Sequence, residues 1–198
     1  STPLQPQSIC SEYREVSTKA INSPEFAQYL KDLDTDMLIL SGAPVIKPEI
    51  FSVPHWACLN LHLGIAPQYR GEHCLFWALL QGVYDCLGCT IHHVSSRIDG
   101  GAVLTQGLPA IKKPPSETSL LWDCAGLGGA LLAKLLDLSV KTQGLPKGQF
   151  PQGTGRLYRY RERKPWHATA LHLHQLFGPA ISQRPTRILR YYEVTDAP

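Results

Sequence analysis

No stretch of this sequence approaches the roughly 20 consecutive apolar residues that a membrane-spanning helix requires. Its opening residues, STPLQPQS, have neither the basic start nor the apolar segment of a secretory signal peptide. The six cysteines do not form the pattern of a disulfide scaffold, and four of them lie among apolar residues, where a free cysteine behaves as a small hydrophobic side chain. We therefore expect a protein of the reducing cytoplasm that makes no membrane contact.

Charge of one sign is also scarce. The formal net charge is only +3 over 198 residues, which is too small to indicate a nucleic-acid partner. A chain of this length buries roughly 70% of its unfolded surface, so its core needs neither a disulfide nor a metal ion. The 16 glycines and 16 prolines are above average and predict long loops or ordered irregular segments.

Strand-like and helix-like patterns alternate along the chain. Residues 37–40 (MLIL) form a continuous apolar run, which is typical of a strand buried on both faces. The other predicted strands cover 13–18, 57–62 and 89–94, and the predicted helices cover 24–33, 72–80 and 117–138. This alternation predicts an α/β fold with an open, mostly parallel sheet. We divide the chain into a tail with the first strand (1–20), a core (21–145) and a C-terminal extension (146–198).

Three polar residues follow strand-like runs. Asn60 and His62 are two residues apart at a strand end, so their side chains point to the same face. An asparagine amide can donate a hydrogen bond to a developing oxyanion, and a histidine can give or take a proton near neutral pH. Asp99 precedes Gly100 and Gly101, a pair that permits a tight turn, and its carboxylate could orient the histidine or hold a water that moves protons. In open α/β sheets such groups gather where strands end, which predicts one shared site.

Five short motifs appear in order around these residues. They are LNLH (59–62), PQYRG (67–71), FWAL (76–79), TIH (90–92) and IDGG (98–101). The ordered set resembles the folate-dependent formyltransferases, a family that includes glycinamide ribonucleotide, methionyl-tRNA and sugar-nucleotide N-formyltransferases. The resemblance extends from about residue 22 to 138 and implies the open, Rossmann-like sheet of that family.

The resemblance implies transfer of a formyl group from 10-formyltetrahydrofolate to an amine. It assigns catalysis to Asn60, His62 and Asp99. Asn60 and a protonated His62 would stabilise the tetrahedral oxyanion, while Asp99 would keep His62 charged and relay a proton through a water. It also places the pterin ring of the donor on backbone groups of residues 41–46. The donor-binding residues that it implies are Ser41, Gly42, Ala43, Val45 and Ile46, with His92 near the site.

The sequence departs from the family in three places. The family usually reads HPSLLP where this chain has HLGIAP (62–67), so the acceptor can differ. The family begins with a strand, a glycine-rich turn, a helix and a second strand that have no counterpart here. We therefore expect an N-terminally incomplete sheet with unpaired edges, in which either the chain is a piece of a longer protein or its tail rearranges to compensate. An exposed half-sheet would also favour a homo-oligomer or a partner strand. Residues 150–198 are too short for the RNA-binding domain of methionyl-tRNA formyltransferase, so we expect a small-molecule amine and no nucleic acid.

Two other functions fit the same motifs. The chain could hydrolyse 10-formyltetrahydrofolate with water as the acceptor, which would release formate without any amine. It could also be a non-catalytic formyltransferase-like module that binds folate or a partner, and the lack of the N-terminal half-sheet favours this alternative. Loss of folate turnover with retained folate binding would identify the second case.

Other motifs give weaker indications. A cationic segment alternates with Leu157, Tyr158 and Tyr160, and its basic residues are Arg156, Arg159, Arg161, Arg163 and Lys164. This pattern is typical of the solvent-exposed face of an edge strand. The alternative is that the basic residues bind an anionic partner such as a phosphate-bearing acceptor. The CLGC motif (86–89) has no second pair, and the two histidines of HLH (172–174) diverge on a helix. We expect no metal site.

Overall fold

The computed structural model describes residues 10–111, 115–153, 155–177 and 182–192. The α-helices are α1 (Pro24–Asp32), α2 (Pro48–Phe51), α3 (Cys74–Leu80), α4 (Glu117–Thr142) and α5 (Pro165–Phe177). The strands are β1 (Met37–Ser41), β2 (Ala57–His62), β3 (Tyr69–Gly71), β4 (Cys89–His93), β5 (Val103–Leu108), β6 (Arg156–Tyr158) and β7 (Arg187–Arg190). Short 3-10 helices cover Ala20–Asn22, Tyr84–Cys86 and Tyr160–Glu162.

The main sheet has five strands in the order β1-β2-β4-β5-β7, which confirms the predicted α/β class with an open sheet. Most of its strands, β1, β2 and β5, run in the same direction, and β1 and β2 are parallel neighbours. The sequence does not reveal that β4 and β7 run antiparallel to the strands beside them. The connection from β4 to β5 covers only residues 94–102. A parallel crossover needs roughly a dozen residues or more, so this short connection permits only an antiparallel pair.

The N-terminal part of the described chain corrects two predictions. The strand predicted over 13–18 is irregular chain, and within residues 10–19 the structure contains no strand. These residues are mostly exposed and polar, and no described strand pairs with them. The sequence predicts that β1 is buried on both faces, but its side chains are half-buried or exposed, with Ile39 37% exposed. The reason is that β1 pairs with β2 and lies at the edge of the described sheet.

The helix signals of the sequence act as expected. Ser23 caps α1 by accepting a hydrogen bond from the amide of Phe26 at 3.2 Å, and Pro24 occupies the first helical position. Ser116 caps α4 in the same way through the amide of Ser119 at 3.0 Å. Both helices therefore begin where a side-chain oxygen can satisfy an otherwise unpaired backbone donor.

The hydrophobic core lies between the main sheet, α3 and α4. Six of the seven residues of α3 are buried, and α4 contributes the buried side chains Leu120, Cys124, Leu131 and Leu135. Gly128 of α4 faces Leu61 of β2, where a Cβ atom would lie only 2.5 Å from a leucine methyl carbon. By length and composition alone α4 is also apolar enough to span a membrane. Its apolar face instead packs against β4, β5 and α3.

The C-terminal extension is joined to the core by strand pairing. β6 adds to β3 in parallel as a separate two-stranded sheet, and β7 adds to the edge of β5. The contact before β6 is close, because a Cβ on Gly155 would overlap the carbonyl oxygen of Pro67. Tyr158 and Leu171 are buried within the main core cluster. Residues far along the chain are thereby held beside the PQYRG motif.

Candidate active site

Asn60 and His62 lie at the end of β2, on the same face of the sheet. His92 of β4 is the register partner of Asn60, so its side chain reaches the same face. The amide nitrogen of Asn60 (Nδ2) lies 3.2 Å from Nε2 of His92. The structure thus brings together three of the residues that the sequence indicated, and they come from two adjacent strands.

Asp99 arrives from the loop after β4 and joins these side chains. Its Oδ1 accepts a hydrogen bond from Asn60 Nδ2 at 3.1 Å and lies 3.4 Å from His92 Nε2. Its Oδ2 lies 3.4 Å from His62 Nδ1 and accepts the backbone amide of Gly71 at 2.7 Å. Both carboxylate oxygens are therefore occupied by donors or ring nitrogens of the site. A buried anion with this many partners is fixed in position.

The backbone around Asp99 requires a glycine at position 101. Asp99 itself has a φ of 46°, in the left-handed region that few non-glycine residues adopt. A Cβ on Gly101 would overlap the carbonyl oxygen of His93, so no larger residue fits there. This close approach lets the loop turn back and direct the Asp99 carboxylate at the end of β2.

His62 is held at both ring nitrogens. Nε2 lies 2.9 Å from the carbonyl oxygen of Tyr69, and Nδ1 faces Asp99. Because a carbonyl oxygen can only accept, Nε2 carries a proton and donates it to Tyr69. Gly64 packs directly against the ring, since a Cβ there would lie 2.6 Å from Nε2. In the neutral tautomer Nδ1 is therefore the unprotonated nitrogen, and it faces the Asp99 carboxylate.

The two ionisable groups are shifted in ways that favour a neutral histidine beside a carboxylate. Burial lowers the pKa of His62, and the negative charge of Asp99 opposes that effect without overcoming it. Burial alone would raise the pKa of Asp99, but the hydrogen bond with His92, the charge of His62 and the Gly71 amide together lower it to about 2. Asp99 is thus ionised at neutral pH. Burial of the ring disfavours the protonated His62 that the sequence predicts, whereas the contacts with Asp99 and Tyr69 favour it.

These side chains line a cavity of about 1020 Å³, which is at the upper end of the range for small-molecule sites. The loop after β1 also lines this cavity, and the lining includes all the residues of that loop predicted to bind the donor: Ser41, Gly42, Ala43, Val45 and Ile46. Gly42 has a φ of 62°, and open space surrounds the position of a Cβ there. Within the described ranges, the amides of Gly42, Ala43 and Val45 make no hydrogen bond to protein. The loop therefore presents backbone donors to the cavity, as recognition of a flat heterocycle requires.

The site also contains groups that the sequence analysis did not single out. The carbonyl of Tyr69 and the amide of Gly71 hold His62 and Asp99, and both belong to the PQYRG motif. Arg70 of the same motif is buried and donates to the carbonyls of Ile98 at 3.2 Å and Gly155 at 3.1 Å. The motif was noted as a sequence signature, but its backbone contacts depend on strand pairing that no local pattern reveals.

The CLGC and HLH motifs do not line this cavity. Across the described residues, no three His, Cys, Asp or Glu side chains converge as metal ligands. Cys86 and Cys89 are both buried, and burial raises the pKa of each thiol. His174 pairs with the hydroxyl of Tyr84 at 3.0 Å, away from the cavity. The cationic segment is different, because its residues 159–161 line the cavity.

Comparison with known proteins gives a consistent family. The formyl transferase family profile matches residues 2–134. Methionyl-tRNA formyltransferase from Caldanaerobacter subterraneus subsp. tengcongensis is 30% identical over 129 residues, which are 65% of this chain and 41% of that protein. The chain thus spans about two fifths of the length of that relative.

Two solved structures share the fold. The sugar N-formyltransferase from Shewanella sp. FDAARGOS_354 has a TM-score of 0.62 at 16% identity, over 89% of this chain and 77% of that one. The formyltransferase PseJ from Anoxybacillus kamchatkensis, solved with UDP-4,6-dideoxy-4-formamido-L-AltNAc and tetrahydrofolate, has a TM-score of 0.55 at 20% identity, over 64% and 66% of the two chains. The profile match covers more than half of the sequence, and the chain belongs to the formyl transferase family.

Proposed function

We propose that this chain is an N-formyltransferase that moves a formyl group from 10-formyltetrahydrofolate to an acceptor amine. One observation carries the proposal: Asn60, His62 and Asp99 converge at the end of β2, in a cavity that the loop after β1 also lines. The relative PseJ, solved with tetrahydrofolate and a formamido sugar nucleotide, supports a folate-type donor for a chain of this fold.

The donor fits the loop after β1. The free amides of Gly42, Ala43 and Val45 can donate to the carbonyl oxygen and ring nitrogens of a pterin, and the absence of a side chain at Gly42 allows the ring to approach the backbone. Buried Ile46 supplies an apolar floor beside these groups. With the pterin held there, N10 of the folate, which carries the formyl group outside the ring, would extend toward the end of β2.

The reaction joins the acceptor nitrogen to the formyl carbon and breaks the bond from that carbon to N10 of the folate. Attack by the amine moves the carbonyl electron pair onto oxygen, and Asn60 donates to the oxyanion through Nδ2. The amine loses one proton and N10 gains one, so no net proton is released and the products are a formamide and tetrahydrofolate. The hydrogen bond from Asn60 to Asp99, at 3.1 Å, orients the amide that makes this contact.

Two contacts define the role of His62 in the reaction. His62 donates Nε2–H to the carbonyl of Tyr69, and its Nδ1 lies 3.4 Å from Asp99, so a proton that reaches Nδ1 during the reaction is stabilised by that carboxylate. The imidazolium produced would then be paired with Asp99 at 3.4 Å, which stabilises the intermediate at the moment of greatest charge separation. Asp99, with a pKa of about 2, is too weak a base to take that proton itself. His92 contacts both Asn60 and Asp99 and would position them.

We propose that the acceptor is a small-molecule amine and that the reaction takes place in the cytoplasm. The cavity is concave and has a volume of about 1020 Å³, which suits a small molecule. All five buried cysteines, Cys58, Cys74, Cys86, Cys89 and Cys124, are free thiols, as a reducing compartment favours. Hydrolysis of the donor is the second candidate, because water can reach the same open cavity.

Turnover of 10-formyltetrahydrofolate by the intact chain tests the proposal. Tetrahydrofolate formation would be followed with and without a panel of amines that contains amino-sugar nucleotides and glycinamide ribonucleotide. Amine-dependent turnover that is lost in His62→Ala and kept in His55→Gln, which changes an exposed histidine, supports the proposal. Formate release without amine would establish hydrolysis, and folate binding without turnover would establish a binding module.

A further inference from the structure

One wall of the cavity carries positive charge that formyl transfer itself does not use. Arg97, Arg159 and Arg161 line this wall, and all three are exposed. Among the described residues, none of them forms an ion pair with a carboxylate. Three arginines that line one cavity without an ion-pair partner make a region of positive potential that attracts an anion.

The carboxylates near this wall are engaged elsewhere. Glu72 accepts the backbone amide of Tyr160, and Glu117 accepts two hydrogen bonds from Arg163, at 2.7 and 2.8 Å. Glu162 lies near Arg159, but its ion pair is with Arg156 at 2.8 Å. The cavity-lining arginines are therefore not neutralised by the acidic residues around them.

Strand pairing places this wall beside the catalytic carboxylate. Tyr158 of β6 is the register partner of Gly71 in β3, and the amide of Gly71 donates to Asp99 at 2.7 Å. The amide of Glu72 donates to the carbonyl of Tyr158 at 3.0 Å, which fixes the chain where it leaves β6. Residues 159–161 thus directly follow Tyr158, whose partner in the neighbouring strand, Gly71, contacts Asp99.

Arg70 links the two segments that carry the arginines. Its guanidinium group donates both to Ile98, next to Arg97, and to Gly155, at the start of the segment that leads to Arg159. Arg70 is buried, so these two hydrogen bonds are shielded from water and hold the loop and the extension at a fixed separation. The wall is therefore built into the fold rather than formed by independent surface side chains.

Tyr160 adds an aromatic surface to the same wall. Its ring is 70% exposed and packs against His73, with ring centroids 5.3 Å apart. A large exposed aromatic side chain at the mouth of a cavity offers a flat apolar face for a ring of the ligand. Arg159 and Arg161 flank it in sequence.

We propose that Arg97, Arg159 and Arg161 form an anion-binding subsite that holds a phosphate group of the acceptor amine. This inference rests on the proposed formyl transfer and names the chemical class of its acceptor. Guanidinium groups bind phosphate oxygens through paired hydrogen bonds, and several of them suit a dianion better than a single carboxylate. The other anion in the reaction is the glutamate of the folate donor, which the test below distinguishes.

The test compares binding of pyrophosphate and of 5-formyltetrahydrofolate to the intact protein by calorimetry. The variants are Arg159→Gln and Arg161→Gln, and the matched control is Arg190→Gln, an exposed arginine on β7 outside the cavity. We expect each cavity variant to weaken pyrophosphate binding by about tenfold or more, the size of one lost charge-assisted hydrogen bond. The control and the folate affinity of all variants should not change.

Each other outcome overturns a defined part of the account. Pyrophosphate affinity that is absent, or equal in all variants, refutes the subsite. Loss of folate affinity with unchanged pyrophosphate affinity shows that these arginines bind the donor glutamate instead and refutes the acceptor assignment. Failure of the unmodified protein to bind 5-formyltetrahydrofolate contradicts the proposed function itself, whatever the arginines do.

Discussion

Replacing Asp99 with asparagine should change how the stability of the protein depends on pH. The surroundings of Asp99 lower its pKa from 3.8 to about 2. This shift corresponds to about 2 kcal/mol of folding free energy at neutral pH, since one pKa unit corresponds to about 1.4 kcal/mol. The side chain is 9% exposed, so solvent screens little of this contribution.

The direction in which folding stability changes with pH depends on whether the folded or the unfolded state binds the Asp99 proton more tightly. The unfolded chain protonates Asp99 near pH 3.8, whereas the folded protein does so only near pH 2. The stabilisation is therefore complete above the unfolded pKa and is lost as the pH falls toward the folded pKa. An asparagine side chain cannot titrate, so the Asp99→Asn variant should be less stable at pH 7 and should lack this loss between pH 4 and 2.

Urea unfolding at pH 7, 5, 4, 3 and 2 would measure the difference. The titration of His62 begins below about pH 6.5 and affects both proteins, so the informative interval is the one below pH 4. Asp34→Asn serves as the control, because Asp34 is 90% exposed and pairs only with exposed His55 among the described residues. Parallel stability curves for wild type and Asp99→Asn between pH 4 and 2 would refute the network of contacts assigned to Asp99.

Three further predictions concern the same site. Gly64→Ala should lower kcat at least about tenfold and reduce stability by about 1–3 kcal/mol, because the new Cβ would lie 2.6 Å from His62 Nε2 and 2.7 Å from Cys74. Steady-state kinetics and urea unfolding would measure the two effects, and a wild-type kcat would contradict the prediction. The pH profile of kcat/KM should keep a plateau down to below pH 6.5, since burial lowers the pKa of His62 and the neutral ring is the active form; an acid limb above pH 6.5 would contradict this assignment. Gly155→Ala should reduce stability by at least about 1 kcal/mol, because a Cβ there would overlap the Pro67 carbonyl, and an unchanged urea midpoint would show that the extension is not docked there.

The sequence predicts the fold class and the convergence of the site residues, but not the strand directions that bring them together. The two-residue spacing of Asn60 and His62 correctly places both side chains on one face of a strand, because strand side chains alternate. Their meeting with Asp99, 39 positions from Asn60, follows from the antiparallel return of β4, which no pattern within either segment encodes. The sequence analysis did not include this return, because a pattern of apolar residues does not record strand direction.

The surroundings of the site were harder to predict for a related reason. The parallel pairing of β6 with β3 joins Arg156 to Tyr69, residues so far apart that nothing local to either indicates the contact. The charge state of His62 also depends on burial, which a sequence gives only indirectly. A carboxylate next to a histidine suggested an imidazolium, but enclosure of the ring favours the neutral form.

The most direct test of the account follows the formyl carbon itself. The intact protein would receive 10-formyltetrahydrofolate with 13C in the formyl group together with the amine panel, and NMR would identify the product. We predict a labelled formamide that requires an amine, survives in His55→Gln, and falls by at least about a hundredfold in Asn60→Ala, His62→Ala and Asp99→Ala. Label found only in formate, or formamide formed undiminished by His62→Ala, would contradict the account.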